Sequence, residues 1–250
     1  MTESHPTDEA FCELNRLKHL NSLDLRNNTL KGVIPSCLGM IEMLQRLHLS
    51  DNQLEGVLSS SIFANASSLK YLDLSGNHFH GNLPLLLFSN QSRIWRFDLS
   101  SNQLEGVLPF SIFANASRLM YLDLSSNDLE VETESPSWVP TFNLSYLNLA
   151  KCSLNKKNGH VIPSFISTQD SLEWLDLSHN LIEGSIPCQL LFSTSIKVLS
   201  LRSNKIDGSL FLGCFANRTS SLRSFDISDN NVTGSLPENI GHLLPDFISC

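Results

Sequence analysis

Basic residues are scarce in this sequence: 17 Lys and Arg stand against 25 Asp and Glu, for a formal net charge of −8. That balance lacks the cationic surface that neutralises phosphates, so nucleic acid is not an expected partner. Long apolar runs are also missing. The longest, LPLLLF at 83–88, falls far short of the roughly 18 residues a membrane span needs. The opening MTESHPTDEA has neither the basic start nor the apolar run of a secretory signal. No CxxC, HExxH, GxSxG or glycine-rich phosphate loop occurs, so the sequence supports no enzyme, no cofactor and no metal site. His78 and His80 form an HxH with no third ligand indicated. Charged residues make up 17% and apolar residues 41%, which excludes a disordered tail.

What is present is repetitive. The 250 residues include 44 Leu, 38 Ser and 22 Asn. Residues 49–77 and 99–127 match at 23 of 29 positions with an offset of 50, two units of 25. The unit LxxLxxLxLxxNxLxGxIP is clearest at 17–35, LKHLNSLDLRNNTLKGVIP. Its second core Leu falls at Leu25, Leu49, Leu74, Leu99, Leu124, Leu149, Leu177, Leu201 and Ile227, with spacings of 24, 25, 25, 25, 25, 28, 24 and 26. One such coil cannot bury its own Leu cluster, whereas stacked coils bury a continuous core. The expected fold is therefore an α/β-type repeat solenoid. It is a leucine-rich-repeat right-handed superhelix with a concave parallel β-sheet and a mostly irregular or 3-10 convex side. The expected organisation is a flank at 1–16, about nine repeats over 17–237, and the start of a further, truncated repeat at 238–250.

Asn28, Asn52, Asn77, Asn102, Asn127, Asn180, Asn204 and Asn230 share one phase. A stack of buried amides can bond loop backbone above and below. Cys152 takes that slot in the sixth unit and reads as a buried substitute. Gly32, Gly56, Gly81, Gly106, Gly184, Gly208 and Gly234 share another phase, with Pro35, Pro84, Pro109, Pro187 and Pro237 after five of them. Gly permits a turn that a Cβ would obstruct. Cys12 and Cys37 lie 25 apart, and Cys188 and Cys214 lie 26 apart, each about one coil. Both pairs are expected to bond in an oxidising compartment.

The outward strand positions form columns. The middle one is acidic, with Asp98, Asp123 and Asp176 among its members, and would favour basic peptide segments. The first runs through Arg46, Tyr71, Arg96, Tyr121, Tyr146 and Trp174. An aromatic stripe beside arginine suits the anchors of a protein or peptide interface. The same stripe could simply stabilise the sheet by cross-strand stacking. Seven N-x-S/T sequons occur. Asn65, Asn90, Asn115 and Asn217 fall in nearly one phase on a flank, Asn143 and Asn231 lie elsewhere, and Asn27 at a strand edge is the poorest candidate. Glycans on the flank would leave the concave face free.

The GxIP ending resembles the plant-type leucine-rich repeat. FCELNRLKHLNSLDLRNNTLKGVIPSCLG at 11–39 and ESPSWVPTFNLSYLNLAKCSLN at 134–155 resemble ectodomains of plant receptor-like proteins. The resemblance implies a ligand-recognition region on the extracellular face of the plasma membrane. It would bind a peptide or protein, signal with a co-receptor kinase in defence or development, and meet the membrane only through a C-terminal anchor missing from this chain. The chain is thus expected to be a fragment or truncated member. The alternatives are a secreted polygalacturonase-inhibitor-like protein and a cytosolic repeat scaffold.

Overall fold

The computed structural model describes residues 12–63, 68–84, 93–134, 138–209, 214, 219–236 and 238–248. Nine three-residue strands form one parallel sheet in strict chain order: Ser22–Asp24, Arg46–His48, Tyr71–Asp73, Arg96–Asp98, Tyr121–Asp123, Tyr146–Asn148, Trp174–Asp176, Val198–Ser200 and Ser224–Asp226. Sequential parallel pairing leaves no room for a crossover inside the sheet, so each strand returns by one complete coil. The middle residue of most of these strands and the Leu, or Ile227 in the last coil, one residue after each strand turn inward. Leu47, Leu49, Leu72, Leu74, Leu122, Leu124, Leu147, Leu149, Leu175 and Leu177 are all essentially inaccessible. This is the leucine-rich-repeat solenoid the periodicity predicts.

The Asn phase does what its chemistry allows. Asn77 Nδ2 donates to the carbonyls of Leu74 and Ser75 in its own coil and of Leu49 in the preceding one, while its Oδ1 accepts the Leu54 N–H. Asn52, Asn102 and Asn127 repeat the pattern. Backbone groups that turn through the interior thereby find partners.

A second parallel sheet flanks the first, with strands Lys31–Gly32, Gln53–Val57, His78–Gly81, Gln103–Pro109, Asp128–Glu132 and Ser153–Leu154. Its register is offset. Ser22 pairs with Arg46, 24 residues on, but Lys31 pairs with Gln53, 22 on. Arg96 pairs with Tyr121, 25 on, but Glu105 pairs with Asp128, 23 on. With a constant slip of two residues, Gly56, Gly81, Gly106 and Gly234 lie under side chains of the coil before, whereas Gly184, at the start of the restarted sheet, has nothing within 4 Å. A Cβ at Gly56 would come 2.7 Å from Val33 Cγ1, and one at Gly106 would overlap the Asn82 amide. Both glycines also hold positive φ, 92° and 84°. The motif Gly is therefore fixed twice, by backbone conformation and by its neighbour.

The convex side carries short 3-10 turns at Ser36–Met40, Phe110–Phe113 and Ser164–Thr168 and single α-turns at Ser60–Phe63 and Cys188–Leu191. In the middle of the stack its core turns aromatic. Phe110, Phe113, Phe142 and Phe165 pack with Trp138, whose Nε1–H donates to the Thr133 carbonyl at 3.0 Å. Cys12–Cys37 and Cys188–Cys214 are disulfides, each with Cα atoms 5.4 Å apart. Among the described residues, no helix is long and apolar enough to cross a membrane.

The sixth coil, where the spacing reaches 28, breaks the pattern. Cys152 is buried, and its thiol, pushed up to about 12 by burial, points at the carbonyls of Leu124 and Ala150. The extra residues make a 3-10 turn, Lys156–Asn158, where the flanking sheet would otherwise continue. That sheet stops at Ser153–Leu154 and restarts as Glu183–Gly184, Lys205–Ser209 and Asn231–Thr233.

Replacing Asn77 by Ala orphans the Leu54 N–H and up to three carbonyls. It should cost about 3 kcal/mol at roughly 1–3 kcal/mol per buried group left unpaired, read as a lower urea midpoint. Gly106→Ala should also destabilise, because φ is positive and Asn82 occupies the space, whereas Gly159→Ala, with nothing within 4 Å, should cost only its backbone strain.

Candidate ligand-binding face

The outward residues of the nine strands are brought into register by backbone pairing alone. Arg46 lies beside Tyr71, Tyr71 beside Arg96, Arg96 beside Tyr121, Tyr121 beside Tyr146 and Tyr146 beside Trp174. At the roughly 4.8 Å strand spacing, planar side chains in one column must stack or splay. Here they stack. His48 lies on Tyr71 with ring centroids 4.1 Å apart. The Arg96 guanidinium lies 5.3 Å from the Tyr71 ring centre and 3.4 Å from that of Tyr121. Tyr121 and Tyr146 are parallel at 4.1 Å, and Tyr146 meets Trp174 at 5.8 Å. The result is a cation–π and aromatic ladder across six coils, from His48 to Trp174, which is 41% exposed.

Arg96 is half-buried, its guanidinium face lies on the Tyr121 ring, and its Nε has no acceptor among the described residues. Its Nη2 pairs with Asp98 Oδ2 at 3.1 Å. Burial pushes the Tyr121 hydroxyl far up and the Tyr146 hydroxyl to about 12, so both stay neutral. Burial likewise lowers His48, which stacks as an uncharged ring at neutral pH.

The acidic column is less available than its sequence implies. Asp73, Asp98 and Asp123 are only 8%, 5% and 5% exposed. In each, Oδ1 accepts both the N–H and the hydroxyl of the Ser two residues on. Asp123 Oδ2 also accepts from Tyr146 OH and Asn148 Nδ2. These carboxylates lock the strand ends and hold the ladder. Asp176 is half-buried, and its Oδ1 accepts the Ser178 N–H. Burial, then the neighbouring charges of Asp123 and Asp73, hold the Asp98 carboxyl up at about 6, and burial raises Asp123 as well.

Sequence columns alone miss two residues of this face. Trp95 and Met120 lie one position before the strands, where alternation is already broken, and they are 39% and 49% exposed. Trp95 stands edge-on to Tyr71 at 5.6 Å. The signal was there, since a Trp and a Met in a slot held elsewhere by Asn21, Gln45, Lys70, Ser145, Glu173, Lys197 and Arg223 are out of character. Arg46 is exposed. Of the sequons, Asn115, Asn143 and Asn231 are exposed, whereas Asn65, Asn90 and Asn217 lie outside the described residues. Asn143 is engaged, donating from Nδ2 to Ser171 Oγ and accepting the Ser171 N–H.

The Leucine Rich Repeat family model matches residues 19–41, 43–65, 68–90, 171–192 and 221–243. Receptor-like protein 1 of Arabidopsis thaliana is 34% identical over 96% of this chain, and Cuscuta receptor 1 of Solanum lycopersicum is 30% identical over 97%. The chain spans 19% of the length of each. Among solved structures, the plant peptide hormone receptor RGFR1 in complex with RGF2 superposes with a TM-score of 0.77 at 26% identity, over 94% of this chain and 36% of that one. A plant ice-binding protein superposes at 0.70 with 25% identity, over 95% and 74%. One coil architecture thus carries unlike surfaces, so activity must be argued from the face itself.

Because Asp98 binds its proton more tightly folded than unfolded, the folded state holds the extra proton between about pH 6 and the unfolded carboxylate range near 4. Asp98 should therefore contribute stability that grows as pH falls from about 7 towards 5, against an opposite contribution from His48, whose protonation burial disfavours. Asp98→Asn should flatten that slope, leaving the smaller contribution of Asp123; thermal melts across the range check both.

Proposed function

The chain belongs to the plant leucine-rich-repeat receptor-like proteins, and from that premise we propose that it is a ligand-recognition segment of a cell-surface receptor. It is a binding module, not an enzyme. The ligand is a peptide or protein segment lying along the concave face, and the contact residues are Arg46, Tyr71, Arg96, Tyr121, Tyr146 and Trp174, with Asp98, Asp123 and Asp176 beneath them. The carrying observation is the ladder. Its side chains are already ordered by stacking, so a ligand that contacts them loses little side-chain entropy on binding, and Tyr, Trp and Arg are the residue types that dominate interface energetics.

Two disulfides support an oxidising compartment over the cytosol, in keeping with the outer face of the plasma membrane. Glycans are proposed at Asn115, Asn143 and Asn231, which are exposed, and Asn65, Asn90 and Asn217 complete the proposed set. Attachment to the membrane, a co-receptor kinase partner and a role in defence or development belong to the longer protein of which this segment is typical.

Panning a displayed random 12-mer peptide library on the intact chain tests the proposal. Tyr146→Ala and Trp174→Ala should each weaken the selected peptides by about tenfold or more while the chain stays folded, Tyr146→Ala with a lower unfolding midpoint because it removes two stacked rings and a donor to Asp123. Undiminished affinity in both variants would sink the ladder as the contact surface. Expression through a secretory pathway should add a glycan mass at Asn115, seen by peptide mapping.

A further inference from the structure

Beside the ladder runs a shorter strip that differs in charge from the rest of the chain. Lys70, Trp95 and Met120 occupy one position on three successive coils, tied by Trp95 N–H to the Lys70 carbonyl and Met120 N–H to the Trp95 carbonyl, both at 2.9 Å. Two residues earlier on the latter coils stand Arg93 and Arg118, both exposed. Neither has a carboxylate partner among the described residues, whereas Lys197, Arg202 and Lys205 further along are paired with Glu173, Asp229 and Glu183. The acids of this part of the face are Asp73, Asp98 and Asp123, which are buried and bonded. On a chain of net charge −8, the open charge at this place is positive.

We propose that the Arg93–Trp95–Arg118–Met120 strip docks an acidic partner segment that also presents an apolar side chain. The apolar group lies on Trp95 and Met120, and carboxylates meet Arg93 and Arg118. This rests on the concave face being a recognition surface, and it names the chemistry of what is recognised. Arg offers carboxylates a paired, charge-assisted contact, Met and Trp give an adaptable and a rigid apolar surface side by side, and Trp95 is already braced against Tyr71. A basic segment would meet like charge here. The preference is opposite to that implied by the Asp column.

The test uses the same random 12-mer library on the intact chain. The pool it enriches should be more acidic than the input and should carry apolar residues. The selected peptides, measured by fluorescence anisotropy, should lose about tenfold or more in affinity with Arg93→Glu/Arg118→Glu and with Trp95→Ala, and should bind less tightly as salt rises. Failure to enrich, a pool no more acidic than the input, or unchanged affinity for the double variant overturns the inference. A non-acidic pool that depends on Tyr146 and Trp174 overturns only this inference and leaves the concave reading standing. An acidic pool that depends on Arg93 and Arg118, but not on Tyr146 or Trp174, keeps the strip and overturns the ladder.

Discussion

The structure depends on one constraint, which is that no coil can satisfy its own backbone. A turn of about 25 residues leaves carbonyls and N–H groups facing the coils above and below, and the ladder amides close them. Asn77 reaches three carbonyls and one N–H on two coils. That bonding keeps the loops at the same rise per coil that backbone pairing gives the strands, and that shared rise sets the outward side chains close enough to stack. The aromatic and arginine ladder shares its spacing with an amide lattice it never touches.

The sixth coil shows what happens when the constraint is met by other means. Cys152 supplies a thiol where an amide is expected, and the lattice loses a strong partner. Asn155, fully buried with φ of 49°, compensates from three residues on: Oδ1 accepts from the Thr133 N–H and hydroxyl, and Nδ2 donates to the Val161 carbonyl. The longer turn is pinned by Glu130 and Glu132 of the coil before. Asn180 Oδ1, next in the series, is buried without a partner among the described residues. The coil is repaired rather than regular, yet the concave sheet runs through it unbroken, so Tyr146 and Trp174 still meet.

Most of this organisation was legible because it is periodic. The strand positions, the amide phase, the two cysteine pairs and the neighbours Tyr121, Tyr146 and Trp174 all follow from counting. What counting could not reach was depth. Asp98 and Asp176 share a column and a template, but Asp98 is enclosed by Tyr71, Arg96, Tyr121 and two flanking carboxylates while Asp176 keeps more solvent, and that decides which charge a ligand meets. Trp95 and Met120 fell outside the columns because they precede the strands. The buried role of Asn155 had no phase to announce it, since the insertion that creates it also shifts it out of step.

The slip of the flanking sheet gives the stack a direction. In the first flanking sheet the side chain of one coil lies over the glycine of the next, Val33 over Gly56, Val57 over Gly81 and Asn82 over Gly106, so each of these coils dictates a residue of its successor. Coils are therefore not interchangeable tiles. A coil moved elsewhere brings its own glycine but meets a different overhang, and a change at Asn82 alters what is tolerable at position 106.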